Sequence, residues 1–207
     1  MTRKNIGIID VGLGNVKSLI SAIRYCGFDY SLVSKPMNQS FDLMILPGVG
    51  AYKEGMKRLH ENNLIQYIRE YSITNPILGI CLGMQLMGRS STEGGSKTNG
   101  LELLDFDVVS LRDENWNRNK LPNIGFIETD LLHPKLFHGF NSTYPFYYIH
   151  SYVISSKSIN PSCVVSSFSM SNQKYITGFC SGNYIGVQFH PEKSHKFALK
   201  LFTNILS

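Results

Sequence analysis

Short apolar runs bounded by Gly or Pro recur through the first half of the chain, and segments with helical spacing separate them. Ile6 to Val11 reads as a buried strand; Gly12-Leu13-Gly14 follows, and Val16, Leu19, Ile20 and Ile23 then recur at three-to-four spacing, which predicts a helix. Residues 30–33 and 43–46 are further strand candidates, and Met56, Leu59, Leu64, Ile65 and Ile68 predict helical segments between Leu46 and Pro76. Ile77-Leu78-Gly79-Ile80 opens the next buried run. Strands alternating with helices predict βαβ units and a parallel sheet.

The pattern changes after Leu101. Helical periodicity fades, and β-branched and aromatic runs interrupted by Asn, Ser and Gly predict strands at 107–111, 125–129, 146–154, 164–169, 176–180 and 184–189. A closing helix is expected from about 193 to 205, with Phe197, Leu201, Phe202 and Ile205 on one face. The expectation is an α/β fold in which one domain spans residues 1–207. Its central, mostly parallel sheet is flanked by helices, and its second half is rich in β-structure.

Composition narrows the function. A chain of 207 residues, 43% hydrophobic, can bury a core without staples, which excludes disorder as a description of the whole. The four cysteines, Cys26, Cys81, Cys163 and Cys180, form no CxxC pair, which argues against a disulfide framework. Twenty Lys and Arg against fifteen Asp and Glu give +5, but the cations are dispersed, so nucleic-acid binding is not expected. A basic face that meets an acidic partner or a phosphorylated small molecule stays open. No run of 18 apolar residues occurs and the N-terminal apolar stretch is too short for a signal peptide, so a soluble cytoplasmic protein is expected, away from the membrane.

The strongest local signal is Gly79-Ile80-Cys81-Leu82-Gly83, where a buried run gives way to a helical segment. A nucleophile on a sharp strand-to-helix turn needs small neighbours two residues to either side, because the backbone there is crowded and strained. The helix N-terminus behind it favours thiolate over thiol. Read alone, the same pentapeptide also fits a structural cysteine between loop glycines. Val187-Gln188-Phe189-His190-Pro191-Glu192 supplies a histidine just past a strand end and a carboxylate two residues on, the base and its orienting acid. Leu46-Pro47-Gly48-Val49-Gly50-Ala51 places a glycine-rich turn after a strand, where backbone N–H groups near Val49 and Leu82 could form an oxyanion hole.

These three segments, in this order, resemble the class I (triad) glutamine amidotransferases. Gly12-Leu13-Gly14-Asn15, Gly79 through Leu86 and Ile149-His150-Ser151-Tyr152 extend the likeness, as does Val187 through Ser194. Within the family it is most similar to the glutaminase subunits of imidazole glycerol phosphate synthase. The resemblance implies Cys81, His190 and Glu192 as catalytic triad, and Val49 and Leu82 at the oxyanion hole. Gly50, Gln85, Ser151 and Tyr152 match the family's glutamine-binding positions. Asn15, Tyr147 and Lys193 match positions that meet a (β/α)8-barrel cyclase subunit, which receives the ammonia in a heterodimer. No metal or organic cofactor is implied, and no ligand-spaced His/Cys set is seen in the sequence.

Two segments depart from the family. Pro122-Asn123-Ile124-Gly125-Phe126-Ile127 stands where Pro-His-x-Gly-Trp-Asn is usual, and Asp10-Val11-Gly12 replaces Asp-Tyr-Gly. The same glutaminase chemistry could therefore serve a divergent cyclase-like partner in nucleotide-sugar or surface-polysaccharide modification. A dinucleotide fingerprint beginning at Gly12 fails because Lys17 occupies the third glycine position. An α/β-hydrolase order fails because Glu192 follows His190. A non-catalytic binding subunit would have no use for the intact Cys/His/Glu set. Cys26, Cys163 and Cys180 read as packing residues, and His133 and His138 as surface.

Overall fold

The computed structural model describes residues 4–116, 120–170, 172–193 and 195–206; the side chains of 194–199, and with them the expected Phe197 contact, lie outside the described residues. In chain order the elements are β1 (Asn5–Ile9), α1 (Val16–Tyr25), β2 (Asp29–Val33), β3 (Leu43–Gly48), α2 (Tyr52–Glu61), α3 (Leu64–Thr74), β4 (Ile77–Cys81) and the short α4 (Leu82–Leu86). The second half runs β5 (Ser90–Ser91), β6 (Thr98–Asn99), β7 (Asp107–Ser110), β8 (Asn123–Leu131), β9 (Thr143–His150) and β10 (Tyr152–Ile154). It closes with β11 (Val164–Met170), β12 (Gln173–Ser181), β13 (Tyr184–Val187) and α5 (His195–Leu206).

Nine strands form one mixed sheet in the order β2-β1-β3-β4-β13-β12-β11-β8-β9. From β2 to β13 every pairing is parallel, and from β13 to β9 every pairing is antiparallel. The alternating strands and helices of the first half thus give the parallel part, with β13 returning from the far end of the sequence to complete it. A second sheet, β10-β7-β5-β6, stands apart. The expected single strand at 146–154 is two strands, broken at Ser151 and assigned to different sheets. The corner is closed locally, because the His150 ring bonds through Nδ1 to the Tyr152 carbonyl at 2.9 Å.

The inner parallel strands β1, β3 and β4 are apolar on both faces, as strands sandwiched between helices must be. Ile6, Ile8, Leu43, Ile45, Leu78 and Ile80 face a layer that includes Leu19 and Ile23 of α1 and Leu201 and Phe202 of α5. Ile9, Met44, Leu46 and Ile77 face the other way, onto Met56 and Leu59 of α2 and Leu64 and Ile68 of α3. Asn15 caps α1, its side chain accepting from the Ser18 N–H at 3.3 Å. Among the described residues no helix is long and apolar enough to cross a membrane.

An aromatic contact fastens the antiparallel half over the parallel half. Phe146 on β9 and Phe189, just past β13, are both fully buried and stack with centroids 3.8 Å apart at 14°. Beside them the His190 N–H donates to the Tyr147 carbonyl at 2.9 Å. Phe146→Ala is expected to cost about 3–5 kcal/mol of unfolding free energy, with Phe146→Leu costing clearly less. Denaturant titration of both variants checks the ordering; equal losses would overturn it, since they would mean that the bulk of leucine recovers nothing of what the ring supplies.

Candidate active site

The parallel strands deliver the predicted segments to one place. Register pairs Gly48 with Cys81 and Ile80 with Val187, so the chain leaving β3, β4 and β13 emerges side by side at their C-terminal ends. That end of an open α/β sheet is where loops build ligand sites. β4 holds the central position, with the glycine-rich turn on one side and the histidine segment on the other.

Cys81 sits at φ 54°, ψ −111° between β4 and α4, a conformation a residue with a side chain seldom adopts. Its neighbouring glycines have a steric reason. A Cβ on Gly83 would lie 1.7 Å from the Leu46 carbonyl oxygen, and one on Gly79 would lie 2.5 Å from the Met84 Cα. The elbow is therefore pressed against β3 and into its own following turn. α4 spans only five residues, so the terminus behind the thiol is shorter than the sequence pattern implies.

Around the sulfur, three groups converge. The Gln188 Nε2 donates to Sγ at 3.5 Å, and the thiol faces the Ile149 carbonyl oxygen at 3.8 Å. The His190 ring interacts with Cys81 on one side, and its Nδ1 meets Glu192 Oε1 at 2.9 Å on the other. Both members of the His190–Glu192 pair are almost wholly buried, at 4% and 7% exposure of their side chains. Burial opposes a charge on His190, but the bonds and charges of Cys81 and Glu192 outweigh it and push the imidazole up to about 10.

The cleft beside Cys81, of about 450 Å³, is lined by Gly50, Gln85, Ser151 and Tyr152, with Val49 and Leu82 at its edge. That volume suits a small polar metabolite. Gln85 is buried, and its amide nitrogen donates to the Tyr152 carbonyl and to Gln188 Oε1, each at 3.0 Å. Its carbonyl oxygen is then left for whatever enters. Glu93, unremarked in the sequence, also lines the cleft and accepts from the Tyr52 N–H at 2.5 Å. Nothing in its spacing marks it; the only signal is a carboxylate just before Gly94-Gly95 in a loop.

One expected donor points elsewhere. The Val49 N–H donates to the Leu13 carbonyl at 2.8 Å and is not offered to the cleft. The cause is local: β3 ends beside the Gly12-Leu13-Gly14 turn, whose Leu13 carbonyl takes the bond. Leu82 does follow Cys81 directly into α4.

Asn15 and Lys193 line the cleft mouth, and Lys193 Nζ lies 5.1 Å above the Tyr147 ring. Tyr147 in turn packs edge-on against Phe126, with centroids 5.4 Å apart. Ile124, Phe126 and Ile149 are exposed, and cross-strand pairing of Ile124 with Ile149 and of Phe126 with Tyr147 makes them one apolar face. Cys26, Cys163 and Cys180 are half-buried and form no disulfide among the described residues, and burial pushes the thiols of Cys26 and Cys180 up. His138 is exposed, whereas His133 is partly buried and serves a turn, its Nδ1 accepting from the Leu136 N–H at 3.0 Å.

Fold and constellation together define a class: an α/β protein whose thiol stands on a strained strand-to-helix turn beside a buried imidazole–carboxylate pair. The model of the glutamine amidotransferase class-I family matches residues 7–205, and the chain belongs to that family of glutamine-hydrolysing enzymes. It is 35% identical to the imidazole glycerol phosphate synthase subunit HisH 2 of Pseudomonas aeruginosa, over 97% of this chain and 98% of that one. To subunit HisH of Thermotoga maritima it is 32% identical, over 97% and 96%. Among solved structures, that of PurLQS from Thermotoga maritima shares the fold, with a TM-score of 0.74 at 18% identity over 99% of this chain and 98% of that chain.

The site holds two buried histidines whose protonation is biased in opposite directions, which sets the pH dependence of stability. Burial pushes His150 down to about 4, so on acidification from its ordinary 6.5 the unfolded chain takes up a proton that the folded chain refuses. Stability should fall by up to about 3 kcal/mol between pH 6.5 and 4 from this group. His190 is biased upward, so its contribution is fully present below pH 6.5 and is lost as pH rises toward 10. Denaturant unfolding across pH 4–10 should give a dome, with the acid limb flattened in His150→Asn. An acid limb unchanged by that substitution would contradict the assignment.

Proposed function

We propose that the chain is the glutaminase subunit of a cytoplasmic imidazole glycerol phosphate synthase, with Cys81, His190 and Glu192 as its catalytic triad. The observation that carries this is the strained Cys81 elbow in contact with the buried His190–Glu192 pair. The end-to-end likeness to HisH subunits supplies the pathway.

Proton transfer from Cys81 Sγ to the facing nitrogen of His190 gives a thiolate and an imidazolium that stabilise one another, with Glu192 holding the opposite nitrogen. The thiolate adds to the side-chain amide carbon of glutamine, and the charge on oxygen needs donors near Leu82 and Val49. His190 returns its proton to the amide nitrogen, the C–N bond breaks and ammonia leaves, with a glutamyl thioester on Cys81. Water, deprotonated by His190, attacks the thioester carbon; glutamate departs and the thiol is restored. Gln85 Oε1 and Glu93 are the acceptors suited to the substrate ammonium, and Gly50, Ser151 and Tyr152 shape the rest of the cleft.

The exposed face of Ile124, Phe126, Tyr147 and Ile149, with Asn15 and Lys193 at the cleft mouth, is the surface we assign to the (β/α)8-barrel cyclase. Phe126 keeps an aromatic ring on that face. We read the engagement of the Val49 N–H by Leu13 as an idle arrangement, in which turning the Gly48–Val49 peptide would complete the oxyanion hole.

Cys81→Ser should abolish glutamine-dependent synthesis while the assembled enzyme still uses free ammonium, measured by product formation from each nitrogen source. Loss of both activities would contradict a role confined to glutamine hydrolysis. Gly50 stands at φ 112° with open space around it, so Gly50→Ala meets no clash but strains the backbone. It should lower partner-stimulated glutaminase turnover about tenfold or more; a rate equal to that of the parent chain would remove this segment from the mechanism.

A further inference from the structure

We propose that His150, with its tautomer set by Asn123, is a positioning residue for glutamine binding, acting through the Tyr152 carbonyl on Gln85. This inference rests on the reading of the cleft as a glutamine site.

Six groups, linked by five hydrogen bonds, form one continuous file. The Asn123 Nδ2 meets His150 Nε2 at 3.1 Å, and His150 Nδ1 meets the Tyr152 carbonyl at 2.9 Å. The same carbonyl accepts from Gln85 Nε2, which also donates to Gln188 Oε1, each at 3.0 Å; Gln188 Nε2 then reaches Cys81 Sγ at 3.5 Å. Asn123, His150, Gln85 and Gln188 are exposed by no more than 6%. The file runs from the first residue of β8, behind the apolar outer face, to the nucleophile.

The chemistry of the acceptors dictates the proton positions. A carbonyl oxygen can only accept, so Nδ1 of His150 carries the hydrogen. Nε2 of the neutral ring is then a bare acceptor, and the Asn123 amide is the donor it requires. The reversed amide would need a doubly protonated ring, and burial disfavours that form. Asn123 thereby fixes the tautomer that His150 needs to grip Tyr152.

The grip matters because of where it falls. Tyr152 follows the Ser151 corner at which the chain leaves one sheet for the other, and both residues line the cleft. His150 holds that corner shut and holds the Tyr152 carbonyl where Gln85 can reach it. With both amide protons of Gln85 spent on Tyr152 and Gln188, its Oε1 is turned to the substrate. Without His150 the carbonyl loses one of its two donors and the Gln85 amide loses its fixed orientation. The loss should fall on substrate binding, because His190 and Glu192 are untouched.

The test uses the full-length chain and 6-diazo-5-oxonorleucine, a glutamine-shaped diazoketone that alkylates a reactive active-site thiol. His150→Phe keeps a ring without donors; Asn123→Leu keeps the shape of the amide without its hydrogen bonds. His150→Asn puts an amide nitrogen at the place of Nδ1. We expect the concentration for half-maximal labelling of Cys81 to rise about tenfold in His150→Phe and Asn123→Leu. The saturating rate should stay within about threefold of the parent, and so should alkylation by iodoacetamide, which has no glutamine group. His150→Asn should recover most of the affinity. An unchanged half-maximal concentration in both His150→Phe and Asn123→Leu overturns the inference. So does an equal loss in His150→Asn and His150→Phe, or a fall in iodoacetamide reactivity matching the loss of labelling, since either would mean a merely structural role. If Cys81→Ser still takes up the diazoketone, the reading of the site has failed instead.

Discussion

The backbone at Cys81 is held at φ 54°, ψ −111°, and nearly everything in the site depends on that strain being sustained. A residue in such a region costs of order 1–3 kcal/mol and persists only where its surroundings over-determine it. Here they do. β4 is laddered on both sides by parallel neighbours, and Gly83 lies so close to the Leu46 carbonyl that even a methyl group has no room. The sheet compels the turn; the turn lifts the sulfur out of the strand. The same pairings bring Gly48 and Val187 alongside, so one set of backbone bonds positions nucleophile, glycine-rich turn and histidine segment together.

Electrostatics then separates two imidazoles of the site that are both buried. His190 meets a thiol and a carboxylate, both of which can carry negative charge, and is biased toward protonation. His150 meets a carbonyl and an amide, which offer dipoles but no charge, and stays neutral; the charge of His190 pushes in the same direction. Burial pushes both rings down, and only the partners of His190 reverse the sign. That difference also separates their uses: a ring that can hold a proton is suited to moving one, and a ring that cannot is suited to holding a geometry.

The parallel half was legible in the sequence because its inner strands are apolar on both faces and lie near Gly or Pro, so residues such as Ile77 to Ile80 announce themselves without any knowledge of neighbours. Cys81, His190 and Glu192 were legible as chemistry, because a nucleophile between two glycines and a histidine before a carboxylate are rare patterns with a mechanical reason. What could not be read is pairing. The run at 146–154 looks continuous because aromatic and β-branched residues continue through it, and only the partition between two sheets shows that Ser151 is a corner. Glu93 and Asn123 lie in segments without periodicity, and each owes its place to a partner distant in the chain: Tyr52 for one, His150 for the other. Val49 was expected to face the cleft, but its backbone N–H donates to the Leu13 carbonyl instead.

That last bond bears on how the proposed glutaminase stays idle. A neutral backbone hydrogen bond is worth about 1 kcal/mol net, so on its own it would leave roughly one molecule in six with the Gly48–Val49 peptide turned toward the cleft. An oxyanion donor is worth about 10²–10³ in rate, so even that minority would run the reaction at an appreciable fraction of full speed. Deep idling therefore needs a second constraint on the same peptide. Gly48 supplies one: it packs so closely on Leu82 that a Cβ would come within 3.0 Å of the Leu82 Cβ, which leaves little room on that side of the rotation. The freedom lies on the other side, at Gly50, whose surroundings are open. A partner seated on Asn15, two residues from the Leu13 acceptor, could displace that carbonyl without touching Cys81, His190 or Glu192. Activation under this reading is the release of one peptide beside a triad whose members are already in contact.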